Sequence, residues 1–247
     1  MARVTAAIEA AGGRIISAPD PTSAPYEYAI ELPSGERRDL VCYAFTANKY
    51  RGAGRPIDEH RFQIKYGSDF ARYHNLYIDP SRKRTTLFFG VHHELDLFIT
   101  ADPILHTPTW FSSSVEFKED DLLEAKKRGW HGWERERSMA GRRKRILPEE
   151  SFQTEALCAF TPKHFLDYIE FERHASGLDA SERLIVGAEL ARAGVPRPGK
   201  KHPLEQALGL SAAELLNVLG GTARLLTAVR GRVAEHHLGT YLQTVPG

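Results

Sequence analysis

The chain has 247 residues, with 33 lysines and arginines against 32 aspartates and glutamates, and is 42% hydrophobic and 26% charged. That size and balance fit one large globular domain or two small ones and exclude disordered, collagen-like and coiled-coil chains. Two cysteines, Cys42 and Cys158, exclude a disulfide framework and a four-thiolate zinc site. No apolar run reaches membrane-span length and no signal-peptide pattern opens the sequence, so the expected setting is a reducing cytoplasm with no membrane partner.

In chain order, residues 2–11 form an amphipathic helix closed by Gly12-Gly13. Tyr26–Leu32 reads as a strand, Pro33–Glu36 as a turn and Asp39–Thr46 as the returning strand of a hairpin. Tyr50–Pro56 is a basic, glycine-rich loop, and Arg61–Tyr66 alternates polar with apolar residues as a half-buried strand does. Thr85–Val91 and Asp96–Ala101 make a second hairpin, Asp102–Phe111 a loop, Ser112–Lys118 a strand, and Asp120–Arg128 a helix ending at Gly129. After about residue 145 the apolar spacing turns helical, at Phe165–His174, Ala180–Arg192, Ala212–Leu219 and Thr222–His237, with Gly194–Pro203 as a linker and a capping box at Ser211–Glu214. The expected fold is therefore α+β, with a β-rich domain over 1–145 and a mostly helical domain over 146–247 that serves dimerisation or partner docking.

Charge is unevenly placed. Residues 49–84 carry a net of +5 and residues 126–145 a net of +7, leaving −11 for the rest. Such density suits phosphate contacts more than the near-neutral total implies, because those contacts are short-range and screened. A solvated charged face is the plain alternative.

Several chemistries leave no trace: there is no Walker loop, dinucleotide fingerprint, serine-hydrolase elbow or HExxH helix. The adjacent pairs His92-His93 and His236-His237 are expected on the surface, since neighbouring residues do not present two ligands to one metal. One enzymatic skeleton exists. Asp102 ends an apolar strand, and Glu116 and Lys118 follow on another, spaced to share a face. Asp102 and Glu116 would hold Mg²⁺ and Lys118 would help activate water in a PD-(D/E)XK endonuclease. Binding alone needs no cofactor, and whether the chain is an enzyme stays open.

Two segments resemble the DNA-recognition domains of restriction endonucleases of the EcoRII and BfiI kind. The first is Tyr43–Lys65, with Arg55, Pro56, Asp58, Glu59, Arg61, Gln63 and Ile64 after a glycine-rich arm. The second is Phe98–Phe117, with Asp102, His106, Ser112, Ser114 and Glu116, where glutamate stands in place of the family's glutamine. The resemblance covers roughly residues 40–120. It implies a β-rich pseudobarrel that grips the major groove of double-stranded DNA with two arms, here at Asn48–Arg61 and His106–Ser114. On that reading Arg51 and Arg55 face guanine edges, Asn48 an adenine, and Thr107 or Trp110 a thymine methyl. Tyr50 belongs to the first arm, and Lys49, Arg82, Lys83 and Arg84 anchor phosphates. Arg61 with Asp58 and Glu59 reads equally as an ion-pair set at the arm's base, and Asp102 with His106 as a loop brace.

Trp130 and Trp133 follow the helix at 120–128. They stack on a modified or flipped base, or form the hydrophobic seam between the two domains. Arg142, Arg143, Lys144 and Arg145 make a basic clasp for phosphate. The leading expectation is thus a sequence- or modification-specific reader of double-stranded DNA in a restriction-type defence system, with a nuclease subunit or a second copy docking through the helical domain. The alternatives are the complete Mg²⁺-dependent endonuclease and an RNA- or protein-binding module.

Overall fold

A computed structural model describes residues 1–22, 24–49, 54–138 and 152–193, together with 231, 234, 235 and 238. Its architecture is mixed α+β and is dominated by one large sheet. The expected segments 194–203 and 212–219, most of 222–237, and the residues Tyr50, Arg51, Arg142, Arg143, Lys144 and Arg145 lie outside the described residues.

Helix α1 (Ala2–Ala10) buries Val4, Ala7 and Ile8, the i, i+3, i+4 stripe of an amphipathic helix. α2 (Glu119–Arg128) carries Glu119, Asp120 and Asp121 in its first turn and Lys126, Lys127 and Arg128 in its last, complementing the helix dipole. It stops at Gly129, left-handed at φ 89°, whose N–H bonds Ala125 O. α3 (Phe165–Ala175) is buried along nearly its whole length. α4 (Ala180–Ala193) opens on a reciprocal cap, in which Glu182 N–H donates to Asp179 Oδ1 and Asp179 N–H to Glu182 Oε2.

The sheet runs in the order β1 (Arg14–Ser17), β2 (Tyr26–Glu31), β3 (Arg37–Lys49), β6 (Arg84–His92), β7 (Leu97–Thr100), β11 (Phe152–Phe160), β10 (Trp130–Ser138). Only β3 and β6 pair in parallel among these neighbours. β4 (Glu59–Lys65) leaves the main order by pairing with the end of β3, and β9 (Ser112–Lys118) pairs with β4. A small second sheet joins β5 (Tyr73–His74) to β8 (Thr109–Trp110).

Both faces of the central strands are covered, which is why β6 reads as a nearly unbroken apolar run. On one face Leu40, Cys42, Leu87, Phe89, Phe98 and Phe160 pack beneath α1 and α3. On the other Val41, Tyr43, Phe88, Leu97 and Ile99 meet β4, β9 and α2 through Phe62, Ile64, Val115, Phe117 and Leu122. Gly90 fits only as glycine, since an added Cβ would lie 2.6 Å from the Phe62 ring. Cys42 and Cys158 are free thiols in the helix-side core, and burial pushes the Cys158 thiol up to about 12.

Beyond the short β1, β5 and β8, two long strands, β10 and β11, fall outside the expected elements. They pair over nine positions, from Trp130↔Phe160 to Ser138↔Phe152, and β11 also pairs with β7. The division expected at 145/146 therefore runs between two partners in one sheet. His92 corrects another expectation. It is buried rather than on the surface, at 1% exposure, because it is hydrogen-bonded to His60.

Candidate nucleic-acid interface

The β4–β9 ribbon has two unlike faces. Its register sets Arg61 opposite Glu116, Gln63 opposite Ser114 and Lys65 opposite Ser112. Period-two alternation turns His60, Phe62, Ile64, Val115 and Phe117 into the core and leaves this polar row outside, with Lys118 at its end. Gln63 Nε2 donates to Ser112 Oγ at 2.8 Å. Asn48, exposed at the end of β3, pairs with Arg61 in register. Around the ribbon's base the charges are matched: Lys49 with Glu119 at 2.8 Å, Arg55 with Glu59 at 3.3 Å, Lys118 with Asp58 at 3.0 Å. Arg55 thus pairs with Glu59, and Asp58 with Lys118, at the base of the first arm.

A buried ionic chain supports the second arm. His106 Nε2 lies 2.7 Å from Glu155 Oε1, and the imidazole stacks on Phe88. Arg135 reaches Glu155 Oε2 through Nε and NH2 at 2.9 and 2.8 Å, and donates through NH1 to the Glu116 carbonyl. Arg137 donates to the Leu105 carbonyl. Burial alone would raise the Glu155 carboxyl, but His106 and Arg135 outweigh it and hold the group at about 2. This arrangement makes His106 an internal brace rather than a surface contact. Thr107 likewise looks inward, accepting from Leu76 N–H at 2.9 Å. Trp110, Ser112 and Ser114 keep outward positions.

A histidine pair sits under the root of the ribbon. Leu95 N–H donates to His92 Nδ1, so His92 Nε2 carries the proton it shares with His60 Nδ1 at 3.0 Å. His60 Nε2–H then points toward Glu119 Oε1 at 3.8 Å without a hydrogen-bond partner. Burial lowers both histidines from their ordinary value, and for His60 the Glu119 charge opposes that shift.

The groups set out for Mg²⁺ chemistry are dispersed among different partners. Glu116 and Lys118 do share the outer face of β9, as their spacing requires. Asp102, however, faces Arg183 of α4 at 3.6 Å, Glu116 faces Arg135 of β10 at 3.5 Å, and Lys118 is bonded to Asp58. Burial raises the Glu116 carboxyl, with Arg135 opposing. Carboxylates already matched by arginines on separate elements do not fit a divalent cation. Glu170, His174 and Glu235 bring three ligand atoms within 4.8 Å. There Arg38 bonds Glu170 at 2.7 Å and Arg173 bonds Glu235 at 2.7 Å, so that cluster is an ion-pair network of balanced charge.

The tryptophans do not form one site. Three residues apart on a strand, they face opposite ways. Trp130 lies in the helix-side core, stacked on Phe160 at 5.1 Å, and Trp133 packs against the ribbon-side core beside His131. Trp130 is thus a core residue, its ring also meeting Phe171 of α3 at 5.8 Å. Arg82, Lys83 and Arg84 form an exposed turn, but Arg84 pairs in register with Asp39. Asn48 and Lys49 stand at the other end of β3, about 30 Å away at roughly 3.3 Å per residue.

Two faces of a central sheet, one helical and one closed by a polar-backed ribbon, define a mixed α+β class with its solvent-facing chemistry on the ribbon. Within that class, a family model described as methylase-associated X1 matches residues 38–169 of the 247. The chain belongs to this family, and the matched region is a restriction-modification-associated domain. Comparison with curated proteins and with solved structures finds no match. The matched residues begin in β3 and end in α3, so they contain the ribbon, the histidine pair and the His106–Glu155–Arg135 chain.

Proposed function

We propose that the chain binds double-stranded DNA in a sequence- or modification-dependent way, as the recognition module of a restriction-modification system. The observation that carries this reading is the outward row of the β4–β9 ribbon: Arg61, Gln63, Lys65, Ser112 and Ser114 on a two-stranded element whose other face is anchored in the core. A two-stranded ribbon is one of the shapes the major groove admits, and glutamine, asparagine and arginine are the side chains that read its edges. Gln63 and Asn48 suit adenine, and Arg51, Arg55 and Arg61 suit guanine. The resemblance of Tyr43–Lys65 and Phe98–Phe117 to the EcoRII and BfiI kind of recognition domain supports this reading. Lys49 and Lys65 serve as phosphate anchors near the row. The turn Arg82–Arg84 serves phosphates on the far side of a long contact or a separate partner. A methylase subunit, in keeping with the family's description, or a nuclease subunit supplies the chemistry.

The test is a binding selection in EDTA from random duplex libraries, unmodified and methylated at cytosine or adenine, at about 0.1–0.15 M salt, where non-specific phosphate binding is suppressed. An enriched motif, or enrichment of one modified pool, is the expected outcome. Gln63→Ala and Arg55→Ala should each relax the preference at one base pair by about 1–3 kcal/mol. A chain that enriches nothing in any pool would overturn the reading.

A further inference from the structure

Beside the polar row lies a surface of different chemistry. The excursion between β4 and β6 returns as β5, which pairs with β8 through Tyr73↔Trp110 and His74↔Thr109. Alternation buries Thr109 and turns Tyr73 and Trp110 out together. Their rings meet edge to face at 4.9 Å, and Phe70 meets Phe111 in the same way at 4.2 Å. Phe70 is 72% exposed, Tyr73 66% and Trp110 39%. Two aromatic pairs built from the same two segments, with three rings open to water, are an unusual exposure for a chain that buries most of its other rings.

The surroundings of this patch are cationic and polar. Lys65 is exposed on the adjoining strand end, and Arg72, between Phe70 and Tyr73, is 81% exposed in its side chain while touching Asp69 at 3.2 Å. Next to the patch is an open hollow of about 520 Å³, lined by Lys65, Tyr66, Ser68, His74 and Asn75. Gly67 forms its floor at φ 104°, where a Cβ would strike the His74 ring at 2.2 Å. Flat rings beside cations and amide and hydroxyl groups match the π-face, phosphate and edge of a nucleotide at once. Exposed aromatics also occur at protein and membrane interfaces; here the cations beside the rings favour a nucleotide, whose phosphates they match.

We infer that the β5–β8 ribbon is a stacking platform for unpaired nucleobases, single-stranded or extruded from an opened duplex. The inference rests on the DNA-binding reading above and adds to it a second ligand form. The platform stacks bases through Tyr73, Trp110 and Phe70, while Lys65 and Arg72 follow the backbone. Stacking tolerates any base, so this surface adds affinity for open DNA without sequence preference, and the β4–β9 row keeps the task of specifying.

The experiment uses the full chain with a short labelled oligothymidine and a labelled duplex of equal length, in EDTA at about 0.1 M salt. Affinities and salt slopes are compared for wild type and for Phe70→Ala/Tyr73→Ala, both highly exposed positions whose truncation leaves the core intact. The expected result is a 10-fold or larger loss for oligothymidine with its salt slope unchanged, and less than a 2-fold change for duplex. Trp110→Phe should retain most oligothymidine affinity but lose the fluorescence quenching that a stacked base causes. Duplex binding with no oligothymidine binding, or equal oligothymidine binding by wild type and the double variant, would overturn the platform and leave the duplex reading standing. Binding to neither would overturn both. Self-association, or co-sedimentation with phosphatidylglycerol–phosphatidylcholine vesicles, that the double variant abolishes while oligothymidine binding is unaffected would assign the patch to another partner and overturn the platform.

Discussion

Two buried ionic clusters in this molecule behave in opposite ways. Beneath the second arm, one carboxylate, Glu155, is matched by Arg135 and hydrogen-bonded to His106, and is held at about 2 despite full burial. Beneath α3 and α4, two carboxylates, Glu172 and Asp102, share one guanidinium, Arg183. There burial wins for one of them: Glu172 is pushed up to about 7 although Arg183 bonds both its oxygens at 2.9 Å. Depth is the same in both places. The ratio of cations to carboxylates decides which charge survives.

The largest test of that comparison is Arg183→Leu. It strands Asp102 and Glu172 without a cation in a site where Arg183 is also stacked on Phe171 at 4.7 Å and bonded to the Ala175 carbonyl. A loss of about 3–5 kcal/mol in urea unfolding is expected, and Arg183→Leu/Glu172→Leu should recover much of it. Equal losses in the single and double variants would break the argument.

Next comes pH. Between the ordinary carboxyl value of 4.5 and about 7, the folded chain keeps a proton on Glu172 that the unfolded chain has released. That contribution is full below 4.5 and is lost as pH rises through about 7. Glu155 has the reverse sign, contributing above 4.5 and failing as pH falls toward about 2. Unfolding measured across pH 5–8 should show Glu172→Gln gaining about 2–3 kcal/mol on wild type from the acid to the neutral end. A constant difference would show that Glu172 does not titrate there.

Glu155→Gln keeps the shape but removes the charge that His106 and Arg135 face. A loss of about 1.5–3 kcal/mol is expected, with faster amide exchange confined to the segment around Leu105–Trp110. Asp58→Ala is the control. Its partner Lys118 is half exposed, so a change of about 0.5 kcal/mol or less is expected. A larger effect would mean that the ribbon's base depends on surface charge as much as on the buried chain.

Periodicity made most of these elements legible. Helices α1 to α4 and the strands of the two central hairpins follow apolar spacing that one buried stripe or face dictates. β10 is different, because its alternation is written in charge. Arg135 and Arg137 turn to one side and find Glu155 and the Leu105 carbonyl, while Glu134 and Glu136 are exposed. A search for apolar period two passes over such a strand. β11 offered a clue in Glu155, a single acid ahead of the apolar run Ala156–Phe160. Its meaning needed the partner segments, since the groups that bond it, Arg135 and His106, come from β10 and the 102–111 loop.

The candidate site was legible in part for the same reason. The polar rows of β4 and β9 follow directly from alternation, and Glu116 and Lys118 do share a face. The burial of His106 and His92 is a tertiary matter, fixed by Glu155 and His60 from distant segments. The aromatic patch escaped notice because Phe70, Tyr73, Trp110 and Phe111 belong to two loops that only strand pairing brings together.

β3 belongs to two structures at once. Its first part, Arg37–Cys42, lies between β2 and β6 in the main sheet, and its last residues, Ala47–Lys49, carry β4. The ribbon is therefore cantilevered from a beam whose other end is clamped between neighbours. A load placed on the ribbon's tip passes along continuous backbone into a strand paired on both sides. Such a mount lets a reader press its edge into a groove and keep its aim.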